Sequence, residues 1–184
     1  MRVIAGSARR IQLDTLDTQE TRPTLDRQKE TLFNVVQFDL IDAKCLDLFA
    51  GSGALGIEAL SRGAAKAYFV EQNAAAFEII KENLNRTKLK EKSVVLLGDA
   101  LSTLPKLKNE TFDLIFLDPP YGQNLEKHAI RQIMDLNLLS DGGTIIVETS
   151  LETDLRDCLV NPLTIWNEKS FKTNKLSFIG KKDE

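Results

Sequence analysis

The sequence holds little of what builds metal centres and disulfide scaffolds: two cysteines and one histidine in 184 residues. Cys45 and Cys158 stand far apart, in neither a disulfide framework nor a metal-type pair, so reduced thiols and no bound metal are expected. His128, the lone histidine, reads as a residue on a helix face and not as a base. No apolar run approaches the roughly 20 residues that a bilayer span needs. The opening Met1-Arg2-Val3-Ile4-Ala5-Gly6-Ser7 has no apolar signal core, which predicts a cytoplasmic protein away from membranes. A surplus of positive charge is also lacking. The net charge of −3 is not the global footprint of a nucleic-acid binder.

The distribution of that charge is uneven. Residues 1–13 carry three arginines and no acid, and residues 168–184 carry five lysines against three acids. The body between them has 16 basic and 24 acidic residues. Two basic ends flank an acidic middle, as solvated termini or as a docking surface for an anionic partner.

What is present in quantity is alternation. Short apolar runs at 44–49, 66–71, 93–97, 112–117 and 144–148 read as strands. Helical patterns over 54–62, 73–86, from about 101, and 125–134 separate them. Phe77, Ile80 and Leu84 share a face, Asn73 is placed to cap, and Gly63 to terminate. This pattern predicts an α/β fold, a doubly wound and mostly parallel sheet covered on both sides. Both ends depart from it. Residues 2–13 read as a hairpin turning near Gly6-Ser7. Thr24 is placed to cap a helix over about 26–38, with Leu32, Val35 and Val36 inward. Asp141-Gly142-Gly143 reads as a turn into the fifth strand, and 163–166 and 176–179 as a closing antiparallel pair carrying Trp166. We expect one domain over 1–184, with 1–40 as an extension and 41–184 as a core.

Three motifs carry chemistry. Asp47-Leu48-Phe49-Ala50-Gly51-Ser52-Gly53-Ala54-Leu55-Gly56 ends the first strand and enters a helix, where a parallel sheet holds its ligand. Its glycines suit nicotinamide cofactors as well as others. Glu71, 20 residues beyond Gly51, can accept both hydroxyls of an adenosine ribose in either case. Asp47 separates the two. A carboxylate is unwelcome beside a pyrophosphate but suits the ammonium group of S-adenosylmethionine. Gly98-Asp99-Ala100 ends the third strand with an acceptor for an adenine amino group.

The third motif, Asp118-Pro119-Pro120-Tyr121, ends the fourth strand. Proline fixes the backbone and removes N–H groups. The Asp118 carboxylate and the Pro119 carbonyl can then grip the two hydrogens of an exocyclic amine on a nucleobase. Tyr121 offers a face on which the base stacks. Such a nitrogen is a poor nucleophile, so its activation rests on orientation and electrostatics.

With these motifs the sequence resembles the class I S-adenosylmethionine-dependent methyltransferases, and within them the RsmD-type family that methylates N2 of a guanine in bacterial 16S rRNA. The opening Met1–Gly6, Thr21-Arg22-Pro23-Thr24-Leu25-Asp26-Arg27, Glu30–Asn34, 46–64 and 118–121 carry the resemblance. It implies a Rossmann-like methyltransferase sheet of seven strands with the last antiparallel. The cofactor S-adenosylmethionine would lie against Asp47, Phe49, Ala50, Gly51, Ser52, Gly53, Glu71, Gln72, Asp99 and Ala100, with Thr24 near its methionine end. It further implies that Asp118, Pro119, Pro120 and Tyr121 hold the guanine, and that the substrate is 16S rRNA in a small ribosomal subunit or assembly intermediate, met by a monomer. Arg2, Arg9, Arg10, Arg22 and Arg27, with Lys172 and Lys175, are the expected RNA contacts. Ala8-Arg9-Arg10 and Phe171-Lys172-Thr173-Asn174 depart from the family's usual Trp-Arg-Gly and Tyr-Gly-x-Thr. Adenine-N6 methylation of DNA or RNA is the nearest rival, since adenine presents a similar amine. A nicotinamide oxidoreductase and a non-catalytic RNA-binding module are more distant ones.

Overall fold

A computed structural model describes residues 1–16 and 22–181, with the backbone alone for 22–25. The alternation read from the sequence becomes β1 (Lys44–Asp47), α2 (Ala54–Ser61), β2 (Lys66–Glu71), α3 (Ala74–Thr87), β3 (Ser93–Leu97), α4 (Ala100–Thr103), β4 (Phe112–Leu117), α5 (Leu125–Asp135) and β5 (Leu139–Ser150). α1 (Arg22–Val35) precedes them, and β6 (Leu163–Ser170) and β7 (Asn174–Lys181) close the sheet. Among the described residues the seven strands run in the order β3-β2-β1-β4-β5-β7-β6. Only β7 is antiparallel to the rest.

Two apolar layers flank the sheet, because alternate strand residues point to opposite faces. Cys45, Phe69, Leu114, Phe116 and Phe178 pack beneath α1, α2 and α3. Leu46, Tyr68, Val70, Ile115 and Val147 pack beneath α4 and α5. β4 is almost wholly buried, as a central parallel strand must be. Burial pushes the Cys45 thiol up to about 12, so it acts as a core residue.

Local signals fixed several boundaries. The Asn73 side chain accepts from the amides of Ala75 and Ala76 at 2.9 and 3.1 Å, capping α3 as expected. The buried side of α3 is Ala76, Ile80, Asn83, Leu84 and Thr87, while Phe77 is only partly covered. Other expectations need correction. α1 begins at Arg22 and ends at Val35, so Thr24 lies within the helix and not at its cap. Phe33 joins Leu32 and Val36 in the core, its ring 5.7 Å from that of Phe116. Asp141-Gly142-Gly143 lies inside β5, beside an irregularity in the β4–β5 register, and is not a turn before it.

Residues 2–13 do not form a hairpin of two strands. One bridge, Arg2 with Gln12, four backbone hydrogen bonds within the segment and a fifth from Leu13 to Met1 fold them into a strap of turns. The strap is held by α2. Glu58, fully buried, accepts from the amides of Ile4 and Ala5 at 2.9 and 3.0 Å. It also pairs with Lys29 at 3.2 Å and Arg62 at 2.9 Å. Gly6 (φ +83°) turns against the end of α2, where a Cβ would lie 1.8 Å from the Ser61 carbonyl oxygen. Four donors therefore converge on one carboxylate, which offsets the cost of taking it out of water.

Candidate active site

The chain order of the strands reverses between β1 and β4, and a cleft opens at their carboxyl ends. It encloses about 780 Å³, with a side compartment of about 170 Å³. Gln28, Phe49, Gly51, Asp118 and Glu148 border both.

The loop after β1 uses its three glycines differently. Gly51 (φ +53°) faces open space: a Cβ built there meets nothing within 4 Å. At Gly53 (φ +79°) a Cβ would point to the core, 3.2 Å from Ile80, and the residue borders neither compartment. Gly56 packs on β2, where a Cβ would stand 2.3 Å from the Phe69 ring. Gly51 is thus the glycine whose Cβ position is open, and Gly56 serves close helix–strand packing.

Four carboxylates approach the cleft from this side and from β4. Glu71 accepts from the amide of Gly51 at 2.8 Å and from that of Asn73 at 2.7 Å, tying the two loops together. A carboxylate retains further acceptor capacity after two such bonds. Asp99 caps α4 by accepting from the Ser102 amide at 2.9 Å, which holds its carboxyl below the usual range. Gln72 and Ala100 border the cleft beside them. Asp47, with Ala50 and Ser52, borders the side compartment. It is 2% exposed and accepts from the Gly56 amide at 3.1 Å. Burial, outweighing that hydrogen bond, pushes its carboxyl up to about 7, and Glu71 adds to the rise.

Asp118, Pro119, Pro120 and Tyr121 all border the larger cleft at the end of β4. The Tyr121 hydroxyl donates to Glu148 Oε1 at 3.1 Å. Burial foremost, then the Glu148 carboxylate, holds that phenol above its ordinary range. Asn174 Nδ2 also donates to Glu148 Oε1, and Asn174 exchanges amide hydrogen bonds with Gln28 at 3.1 and 3.3 Å. Sequence reasoning missed Gln28, Glu148 and Asn174. Glu148 carried a signal, since the apolar run of the fifth strand ends there as that of the fourth ends before Asp118. Gln28 and Asn174 are 146 residues apart and meet only through the fold.

The basic residues fall into three situations. Arg9 and Arg10 are exposed on the strap, and Arg27 and Lys172 are exposed elsewhere. Arg2 is half-exposed and paired with Asp26 at 2.9 Å. Lys175 is not the open cation expected: its side chain is largely covered and lies 3.6 Å from Glu168. The side chains of Arg22 and Thr24 lie outside the described residues. His128 is exposed on α5, as read. No helix among the described residues is long and apolar enough to cross a membrane.

Known proteins are similar to this chain along most of its length. The family model described as conserved hypothetical protein 95 matches residues 1–180. Ribosomal RNA small subunit methyltransferase D of Haemophilus influenzae is 41% identical over 157 residues, covering 84% of this chain and 81% of that protein. The protein of the same name from Escherichia coli strain K12 is 40% identical over 155 residues, covering 84% and 77%. The solved structure of the Escherichia coli protein yhhF superposes with a TM-score of 0.87 at 33% identity, covering 100% of this chain and 99% of that one. A glycine loop open at Gly51 and an Asp-Pro-Pro-Tyr rim on one cleft, with relatives of this similarity along most of the chain, make it a member of the RsmD-type methyltransferase family.

Proposed function

We propose that this chain, acting as a cytoplasmic single-domain monomer, transfers a methyl group from S-adenosylmethionine to the exocyclic N2 of a guanine in 16S rRNA. The expected substrate is a small ribosomal subunit or an assembly intermediate. The observation that carries the reading is that the Asp-Pro-Pro-Tyr rim and the open Gly51 loop border one continuous cleft. The names of the relatives, which specify small-subunit ribosomal RNA, support the choice of substrate.

The residues fit a cationic adenosine cofactor. Gly51 leaves room that a Cβ would fill. Glu71 and Asp99 offer acceptors for ribose hydroxyls and for an adenine amine. Asp47 is a carboxylate whose pKa is raised by burial, and a bound ammonium group would pair with it. When bound, S-adenosylmethionine supplies a methyl group on a positively charged sulfur.

The protein's own part is positional. The Asp118 carboxylate and the Pro119 carbonyl accept the two hydrogens of the amine and turn its lone pair away from conjugation with the ring. Tyr121, anchored through its hydroxyl to Glu148, presents a ring edge or face to the base. As the nitrogen gains its methyl group it loses one of the held protons, and Asp118 is the adjacent acceptor. Holding both reactants in one cleft converts a bimolecular encounter into an intramolecular one.

The test is transfer of tritiated methyl groups to small subunits lacking the modification, followed by nucleoside analysis. N2-methylguanosine is the expected product. Label in N6-methyladenosine, or no label, overturns the reading.

A further inference from the structure

We propose that Glu148 is a specificity-determining residue that accepts the N1–H of the target base and so selects guanine over bases with a lone pair at N1. This inference rests on the reading of the cleft as a guanine-N2 methyltransferase site.

Placement comes first. β4 and β5 pair in parallel register through Ile115 with Ile145, Phe116 with Ile146 and Leu117 with Val147. The next residues in that register are Asp118 and Glu148, neighbours at the same level of the sheet. Both border the larger cleft and its side compartment. The Glu148 carboxylate is held in place. Oε1 accepts from the Tyr121 hydroxyl at 3.1 Å and from Asn174 Nδ2, and β7 flanks it through Leu176. Asn174 is in turn fixed by the amide exchange with Gln28. A half-buried carboxylate anchored from two sides is a rigid acceptor, and a carboxylate carries about four acceptor positions.

Chemistry then distinguishes the bases. The Watson–Crick edge of guanine places N1–H directly beside the N2 amine, so three hydrogens line up. Three acceptor-bearing residues line the same cleft to meet them: Pro119 with its carbonyl, Asp118 and Glu148. Adenine carries its amine beside an N1 lone pair, which an anionic acceptor repels. A site built to receive a hydrogen bond rejects an analogue lacking the donor far more strongly than an apolar wall rejects a change of size. Glu148 therefore supplies a discrimination that the Asp-Pro-Pro-Tyr rim, which serves any exocyclic amine, does not.

The experiment replaces the mapped target guanine in semi-synthetic small-subunit RNA with 2-aminopurine, which keeps the N2 amine but has a lone pair at N1. Wild type is expected to favour guanine by on the order of tenfold or more. Glu148→Gln, whose amide can donate to that lone pair, is expected to bring the two substrates within about threefold. Cooperative thermal unfolding of the variant verifies its fold. A guanine to 2-aminopurine ratio equal in both proteins overturns the inference. A second arm needs no variant. With 1-methylguanine, which keeps O6 and the amine but lacks N1–H, wild-type transfer must fall as it does with 2-aminopurine. Transfer at the guanine rate to either analogue also overturns it. If wild type methylates no guanine at all, it is the underlying reading of the site that fails.

Discussion

Two buried carboxylates, one on α2 and the other just before the loop that enters it, are treated in opposite ways. Glu58 receives two backbone amides and two cations, and resolves its burial within the protein. Asp47 is nearly as buried but receives the Gly56 amide, and burial leaves its carboxyl raised to about 7. Lys29, the closest partner of Glu58 on α1, borders the same side compartment as Asp47. The contrast separates a carboxylate that holds the fold from one whose charge, on the proposed reading, a ligand completes. A buried acid paired with cations marks structure, and a buried acid with a raised pKa beside open space marks a candidate site.

Breaking the satisfied cluster should have the largest effect. Glu58→Ala strands Lys29 in the interior and frees two strap amides. We expect a loss of about 3–5 kcal/mol in denaturant unfolding. A loss below about 1 kcal/mol would mean that the strap and its ion pairs contribute little.

The opposite sign is expected at the other carboxylate. Asp47 stays protonated in the folded protein between about pH 4 and 7, where the unfolded chain has ionised it. Folding stability therefore falls as pH rises through that window. Asp47→Asn keeps an acceptor for the Gly56 amide and removes the decline. The variant should be more stable than wild type at pH 8 by roughly 1–3 kcal/mol. Its affinity for S-adenosylmethionine should be weaker by on the order of tenfold, from loss of the ammonium partner. In wild type, affinity should rise from pH 6 to 8 as Asp47 ionises, and calorimetry across that range should show this dependence vanish in the variant.

A smaller effect sharpens the comparison at the surface. Exchanging Arg9 and Arg10 for glutamates touches neither carboxylate, since both side chains are exposed on the strap. Turnover on ribosomal particles should fall several-fold at low salt, with the difference narrowing as salt rises. Cofactor affinity should not move. Equal turnover would show that the strap is not a docking surface.

How much of this was legible beforehand follows the same division. The strand–helix alternation, the Asn73 cap and the closing strands depend on residues near one another in sequence, and periodicity exposes them. So do the two loop motifs, because each ends a strand. The strap falls short of a hairpin of strands because only part of its pairing is internal: Val3, Arg10 and Leu13 bond across it. The amides of Ile4, Ala5 and Ala8 go instead to Glu58 and Ser61, more than 50 residues away. The three glycines of one loop look alike in sequence, and only the fold shows that a Cβ at Gly53 would meet Ile80 while one at Gly51 would meet nothing. Lys175 was counted as an open cation because its ion pair with Glu168 forms across two antiparallel strands. The Gln28–Asn174–Glu148–Tyr121 chain likewise needed four segments, α1, β7, β5 and the loop after β4, brought to one rim.

The clamp on the amine can be tested in a single paired measurement. Asp118→Ala should be assayed for methyl transfer to small subunits and, in the same preparation, for binding of S-adenosylhomocysteine. The account predicts that transfer falls by on the order of 10³-fold or more while the binding constant stays near that of wild type. Near-normal turnover in that variant would contradict it.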